Sequence, residues 1–474
     1  MTPRRVAVLD VGKTNAKLAL VDTETLGEIA VETRPNRVLP GPPWPHFDLE
    51  GHWQFFLAGL RRLGAEHGVD AISVTAHGAS GVLLDREGRL AASMLDYEHD
   101  GPDTTAAAYD AIRPPFAETG SPRLPVGLNL GAQLHWMLQT EPGLRERVAH
   151  VLTYPQYWSH RLTGVAATDV TSLGCHTDLW NPWEGRPSSL VGRLDLSGVL
   201  APARRPGEIL GTLLPDVAKA TGLSLDTPVA CGIHDSNASL YPHLASRQPP
   251  FAVVSTGTWV IAMAVGGDPV ALDPARDTLV NIDALGQPVP SARFMGGREY
   301  ELIREGQDAV PSGAERRAVL EAPILLVPPV EPGSGPFAGR KGGWSAEPET
   351  PGARALALSW YLALMTDRIL RLAGAGGPTV VEGPFAANAD YLEMLAALRA
   401  DGVQATTSST GTAVGAALLL TPERQPTLAV RTVDTANGAG LRAYAAAWHD
   451  AVDARADPAW REAMPGSASA AASP

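Results

Sequence analysis

The sequence predicts an α/β protein of two domains, and three observations carry that expectation. At 474 residues, with 45% hydrophobic and 19% charged residues, the chain can fill two cores of ordinary soluble composition. Residues 6–21, VAVLDVGKTNAKLALV, and 251–265, FAVVSTGTWVIAMAV, have one form: an apolar run, a tight polar turn containing Gly, and a second apolar run. Val-rich runs suit a pleated sheet and Gly relieves the bend, so each reads as strand, turn, strand. Strand-like runs then alternate with helical periodicity in both halves, without a short solenoid repeat.

Taken in order, the first hairpin is followed by a Pro-rich loop over 36–48 and a helix over 53–67, whose Trp53, Phe56, Leu57, Leu60 and Leu63 share a face. A buried strand over 71–76 ends at Thr75-Ala76-His77-Gly78, and 82–84 is the next strand. Residues 96–103 form a carboxylate-rich loop; 134–138 and 156–162 are helices, the second closed by Gly164. Residues 229–232 form a short strand leading into Ile233-His234-Asp235-Ser236-Asn237, where a domain junction is expected. In the second half, 325–327 is a strand running into a Pro/Gly-dense loop, 355–372 a long helix, 379–381 a strand, and 391–399 and 412–420 helices. The domains expected are 1–234, 235–450 and a segment 451–474 ending in a flexible tail.

Formal net charge is −13, which argues against a nucleic-acid partner. Two cysteines, Cys175 and Cys231, do not make a disulfide framework and fit a reducing compartment. Arg4 and Arg5 precede an apolar stretch, but Asp10 and Lys13 interrupt it, so it reads as a core strand and not an export signal. No apolar run reaches membrane-span length; a cytoplasmic protein without a membrane partner is expected.

Aligning Gly12 with Gly257 sets Asp10 against Ser255 and Lys13 against Thr258. Two such turns, facing each other, would offer N–H groups and hydroxyls to one polyanion, as a protein without a P-loop needs to hold a triphosphate. One carboxylate among many donors suits Mg²⁺ with phosphates, and Lys13 and Lys17 would add positive charge. Asp10 is equally an ordinary turn former. Asp235 is the candidate base for a phosphoryl acceptor, or else a helix cap. His77, at a strand end, is a ligand contact or a histidine satisfied within its turn. Ser409-Thr410-Gly411-Thr412 copies the second turn but enters a small-residue helix, and reads as a look-alike.

In order and spacing these segments resemble the FGGY carbohydrate kinases. Asp10-Val11-Gly12-Lys13-Thr14-Asn15-Ala16-Lys17 resembles the family's first phosphate motif and Ser255-Thr256-Gly257-Thr258-Trp259 its second. QYWSHRLTG at 156–164 resembles the helix ending in RLTG, Gly232-Ile233-His234-Asp235 the segment of the catalytic Asp, and residues 325–336 the strand with its Pro/Gly loop. The resemblance, spanning 6 to about 420, implies two actin-like (ribonuclease H-like) domains with a central ATP/sugar cleft. It implies MgATP, with Asp10 on the metal, Asp235 as base, and Gly12, Lys13, Thr14, Asn15, Lys17, Ser255, Thr256, Gly257 and Thr258 on the phosphates. Gly383, Pro384, Phe385 and Asn388 fall at the nucleoside; His77, Gly78, His234, Asp235 and Trp259 fall at the sugar. Closure around both substrates would exclude water.

Where the family commonly has a run of glycines, Gly383-Pro384-Phe385 adds a fixed φ and bulk, implying a reshaped adenine pocket. Asp96-Tyr97-Glu98 departs from the Trp and Asp frequent in xylulose kinases, and the short His77 loop is more like kinases of L-fuculose or L-rhamnulose than glycerol kinase. The expected activity is transfer of the γ-phosphate of ATP to a deoxyketohexose. Xylulose, ribulose or polyol kinases, a non-catalytic sugar sensor, and a metal-dependent hydrolase using His77 and His234 are the alternatives. A homodimer is the assembly considered.

Overall fold

The structure, a computed structural model, describes residues 2–407 and 411–454. The chain forms two compact units: unit 1 takes Met1–Gln248, Leu279–Pro290 and Ser408–Leu428, and unit 2 takes Pro249–Thr278, Ser291–Thr407 and Ala429–Pro474. The first division thus falls at 248/249 and not at 234/235. Helix Asp235–Ser246 stays with unit 1 because it packs on helix Thr412–Leu418. Gly415 permits that approach: a Cβ there would lie 1.8 Å from the Ala238 carbonyl oxygen. Residues 451–454 complete helix Gly438–Ala454, and the expected tail, 455–474, lies outside the described residues.

In unit 1 the main sheet runs Ile209–Thr212, Pro228–Ala230, Ala71–Ala76, Arg5–Val11, Asn15–Asp22, Gly27–Pro35, with Ile233–His234 also paired to Ala71–Ala76. Arg5–Val11 pairs antiparallel with Asn15–Asp22, from Arg5 opposite Asp22 to Val11 opposite Ala16, and parallel with Ala71–Ala76. Both faces are covered, which is why these strands are continuously apolar. Ala7, Leu9, Leu18 and Leu20 pack with Phe56, Leu60 and Trp158, while Val6, Val8, Ala19 and Val21 pack with Ala413, Ala416 and Ala417.

Unit 2 repeats the arrangement. Phe251–Thr256 pairs antiparallel with Val260–Val265 and parallel with Thr379–Glu382. Residues 291–294 continue the sheet on one side, and Val403–Thr406 and Val430–Thr432 on the other. Helix Pro351–Leu372, capped by the Thr350 side chain, buries Leu356, Trp360 and Tyr361 in the core with Val254, Val260 and Ala262. The molecule is therefore α/β, with a mixed sheet in each half. No helix among the described residues is long and apolar enough to cross a membrane.

Candidate functional site

Register assembles the first group of residues. Asp10 lies opposite Thr75 in one parallel pair, and His234 lies opposite Ala76 in the other. Asp10, His77 and Asp235 therefore stand at the carboxyl ends of adjacent strands, where ligands of α/β proteins bind. The His77 N–H donates to the Val11 carbonyl at 3.0 Å. Gly78 lets the His234 segment come close: a Cβ at residue 78 would meet His234 Nε2 at 2.6 Å, so no side chain fits.

Asp235 opens its helix, and its hydrogen bonds from Ser236 N–H (2.6 Å) and Ser236 Oγ (3.3 Å) both fall on Oδ1. Burial raises its pKa above the usual carboxylate value, opposed chiefly by His77. His77 is packed among Phe47, Tyr97 and Tyr154. Burial pushes its pKa down to about 4, so it is neutral near pH 7. Its Nδ1 donates to the Gly78 carbonyl at 3.0 Å, and its buried Nε2 has no hydrogen-bond partner among the described residues. A turn histidine with one satisfied nitrogen and one free acceptor can take a hydroxyl.

Asp10 accepts a hydrogen bond from Thr412 at 2.6 Å, and Lys17 lies 3.7 Å away; both approach Oδ2. Burial raises the Asp10 pKa, against Thr412 and Lys17. The segment read as a look-alike thus delivers its last threonine to the first turn; residues 408–410 lie outside the described residues. Lys17 also pairs with Glu28 at 2.9 Å. Lys13 pairs with Asp96 at 2.5 Å and Glu98 at 3.1 Å, over the Tyr97 ring.

Sequence reasoning missed the support of this turn. Arg34 donates to His52 Nδ1 (2.7 Å), His52 Nε2 to Asn36 Oδ1 (2.8 Å), and Asn36 Nδ2 to the Gly12 carbonyl (2.8 Å). The Asn36 N–H meets the Thr14 carbonyl at 2.8 Å, and Gly12 N–H meets Asn15 O at 2.9 Å. Burial and Arg34 push the His52 pKa down to about 4, keeping the ring neutral in this relay. No local motif joins residues 34, 36 and 52; the pairing of Asn15–Asp22 with Gly27–Pro35 brings Arg34 and Asn36 to the turn, and helix Leu49–His67 brings His52.

Unit 2 carries the second turn. Gly257 N–H bonds the carbonyl of Trp259, two residues on, at 2.9 Å, where Gly12 N–H in the first turn bonds that of Asn15, three residues on. Thr256 Oγ1 donates to Glu382 O at 2.5 Å and accepts from Phe385 N–H at 3.1 Å, tying the turn to Gly383-Pro384-Phe385. Gly257 and Thr258 are exposed, Ser255 and Trp259 half-buried, and Arg293 lies over the Trp259 ring at 4.5 Å. A cavity of about 500 Å³ in this unit is lined by Pro384 and Asn388, with Tyr300, Arg304, Asp308 and Arg354. Phe385 does not line this cavity. Its ring is buried beside Tyr300 and Tyr391, because an aromatic ring gains more from the core than from a wet cavity wall.

The group Asp10 would hold is a hard cation, and the residues fit one. Mg²⁺ takes one or two carboxylates and keeps waters, and both protein contacts to Asp10 lie on Oδ2, leaving Oδ1. No cluster of three or more His, Cys, Asp or Glu that could hold a metal ion occurs among the described residues.

Residues 6–241 match the N-terminal domain of the FGGY family of carbohydrate kinases, and residues 248–427 match the carbohydrate kinase FGGY C-terminal domain. A carbohydrate kinase from Novosphingobium aromaticivorans, of known crystal structure, is 38% identical, with a TM-score of 0.89 over 94% of this chain and 100% of that one. An L-fuculokinase from Salmonella typhi is 28% identical over 342 residues, 65% of this chain and 70% of its own length. A xylulose kinase from Escherichia coli (strain K12) is 28% identical over 265 residues, 54% of this chain and 53% of its own. The repeated hairpin, the carboxylate at the end of the mid-chain strand and these likenesses agree: the chain belongs to the FGGY family of carbohydrate kinases, ATP-dependent phosphotransferases with an alcohol group as acceptor.

Proposed function

We propose that this kinase phosphorylates a ketose, with the deoxyketohexoses L-fuculose and L-rhamnulose as first candidates. The observation that carries the reading is the register that sets His77 and Asp235 side by side at two strand ends. Asp235 Oδ2 takes the proton of the acceptor hydroxyl as its oxygen attacks the γ-phosphorus, and ADP leaves. Burial supports this role, since a carboxylate of raised pKa is a stronger base. Neutral His77 accepts a sugar hydroxyl at Nε2, with Gly78 and His234 framing the same pocket. Lys13, paired with Asp96 and Glu98 beside His77, we place on the acceptor side.

Gly12, Thr14, Asn15 and Lys17 of the first turn, and Ser255, Thr256, Gly257 and Thr258 of the second, hold phosphate oxygens. The 500 Å³ cavity beside Pro384 and Asn388 takes the nucleoside. Asp10 would hold Mg²⁺, which when bound would neutralise charge on the phosphates. The similarity to an L-fuculokinase over 65% of the chain supports the deoxyketose, and the xylulose kinase match keeps pentuloses in the test. That test is ADP release across L-fuculose, L-rhamnulose, D-xylulose, L-ribulose and glycerol, with Asp235→Asn alongside. The reading predicts a ketose as best acceptor and a loss of about a thousandfold or more in kcat for the variant. A variant of unchanged activity refutes the assigned base.

A further inference from the structure

Beside His77 stands a phenol that no bond within the protein explains. Tyr97 meets the His77 ring edge-on, centroids 5.2 Å apart at 69°, and packs half-buried against the core that includes Phe47 and Tyr154. Its hydroxyl lies within electrostatic reach of Glu98, Asp235 and Asp96, and no hydrogen bond acts on it among the described residues. Burial, with those three carboxylates, holds its pKa above the usual phenol value. The hydroxyl therefore keeps its proton near pH 7 and can both donate and accept. A tyrosine hydroxyl taken partly out of water usually finds a partner, so this one is open to a ligand.

The residue is held from three sides. The Asp96 N–H donates to the Pro45 carbonyl at 2.9 Å, and the Tyr97 carbonyl accepts from Gly127 N–H at 2.9 Å. A Cβ at residue 127 would meet the Tyr97 carbonyl oxygen at 2.8 Å, so glycine lets the two segments touch. Over the ring's face lies Lys13, its Nζ 4.4 Å from the centroid, a cation–π distance. Lys13 is fixed in turn: Nζ donates to Asp96 Oδ1 at 2.5 Å and pairs with Glu98 at 3.1 Å, the two neighbours of Tyr97 in the chain. With two carboxylates on it, the ammonium has little charge left for a phosphate.

We propose that Tyr97 is a specificity-determining residue of the acceptor site: its hydroxyl hydrogen-bonds a hydroxyl of the sugar whose reacting oxygen meets Asp235, and Lys13, anchored by Asp96 and Glu98, holds its ring in place. This rests on the reading of His77 and Asp235 as the acceptor site. Steady-state kinetics of the full-length protein with its best acceptor tests it. Tyr97→Phe removes only the oxygen and should raise the sugar KM about five- to tenfold, with kcat and the ATP KM within about twofold. Monodeoxy analogues of that acceptor locate the bond: for the one lacking the contacted hydroxyl, variant and wild type should have equal KM. A side chain that merely packs gives one ratio for every analogue. Lys13→Met keeps the stem and removes the charge; it should raise the sugar KM several-fold and leave the ATP KM within about twofold. A wild-type sugar KM in Tyr97→Phe, one ratio for every analogue, or a Lys13→Met loss that falls on the ATP KM overturns the proposal. Full activity in Asp235→Asn would instead remove the base assignment, and glycerol as best acceptor the ketose reading; the Tyr97 ratios are read in either case.

Discussion

Replacing Gly383 by alanine tests how the second phosphate turn is built. Gly383 has φ 81° and ψ −162°, a conformation essentially confined to glycine. A Cβ there would sit 2.1 Å from the Thr256 carbonyl oxygen and 2.9 Å from its Oγ1. Normal contact requires Thr256 to retreat by about 1 Å or more. That movement disrupts the hydrogen bonds of Oγ1 to Glu382 O and from Phe385 N–H. Two such bonds at about 1 kcal/mol each, with about 1–2 kcal/mol of backbone strain, give a loss of about 3–4 kcal/mol. For a unit of this size the melting temperature should fall by roughly 6–16 °C, and calorimetric titration should show weaker ATP binding. Gly402→Ala is the control: φ is 89° but nothing lies within 4 Å of the added Cβ. It should carry the strain alone, about 1–2 kcal/mol, with ATP binding unchanged. Equal effects of the two substitutions, or wild-type ATP affinity in Gly383→Ala, would refute the collision argument.

Glu299 accepts hydrogen bonds from Tyr361 Oη and Glu331 N–H, and burial raises its pKa from 4.5 to about 7. The folded protein therefore retains a proton that the unfolded chain releases, so stability falls as pH rises between 4.5 and about 7. Glu299→Gln should remove about 3 kcal/mol of that decline, read from urea melts at either end of the window. Thr412→Val deletes the hydroxyl on Asp10; it should raise the Mg²⁺ concentration for half-maximal activity several-fold and cost about 1 kcal/mol in denaturant unfolding. His52→Leu breaks the relay to the Gly12 carbonyl and should destabilise the fold by about 1–3 kcal/mol in the same melts, since it strands the buried Asn36 oxygen.

Both hairpins were legible in the residues because a strand covered on two faces must be apolar throughout and its turn must not be. Residues 6–9 of Arg5–Val11 and 251–254 of Phe251–Thr256 meet that rule. Strand Gly27–Pro35 does not: it lies at the sheet's edge, mostly exposed, and its GEIAVETRP has no buried face to declare it. Helix Leu49–His67 was found from its stripe, but its true start depends on the Asp48 side chain accepting from Gly51 N–H. Asp10, His77 and Asp235 could be singled out from strand ends and chemistry. Thr412 could not, because its place at Asp10 depends on a chain return 402 residues later. Phe385 shows a related limit: sequence gives its size, and only packing shows that the ring turns toward Tyr300 and Tyr391.

The chain passes between the two bodies at 248/249, 278/279, 290/291, 407/408 and 428/429. Neither body is therefore a continuous stretch of gene. A fragment stopping at Gln248 would lack Ala413, Ala416 and Ala417, stripping the cover from Val6, Val8, Ala19 and Val21 and inviting aggregation. Modular shuffling at the midpoint would fail for the same reason, whereas supplying both 279–290 and 408–428, in trans or through a rewired chain order, is the route to an autonomous amino-terminal body.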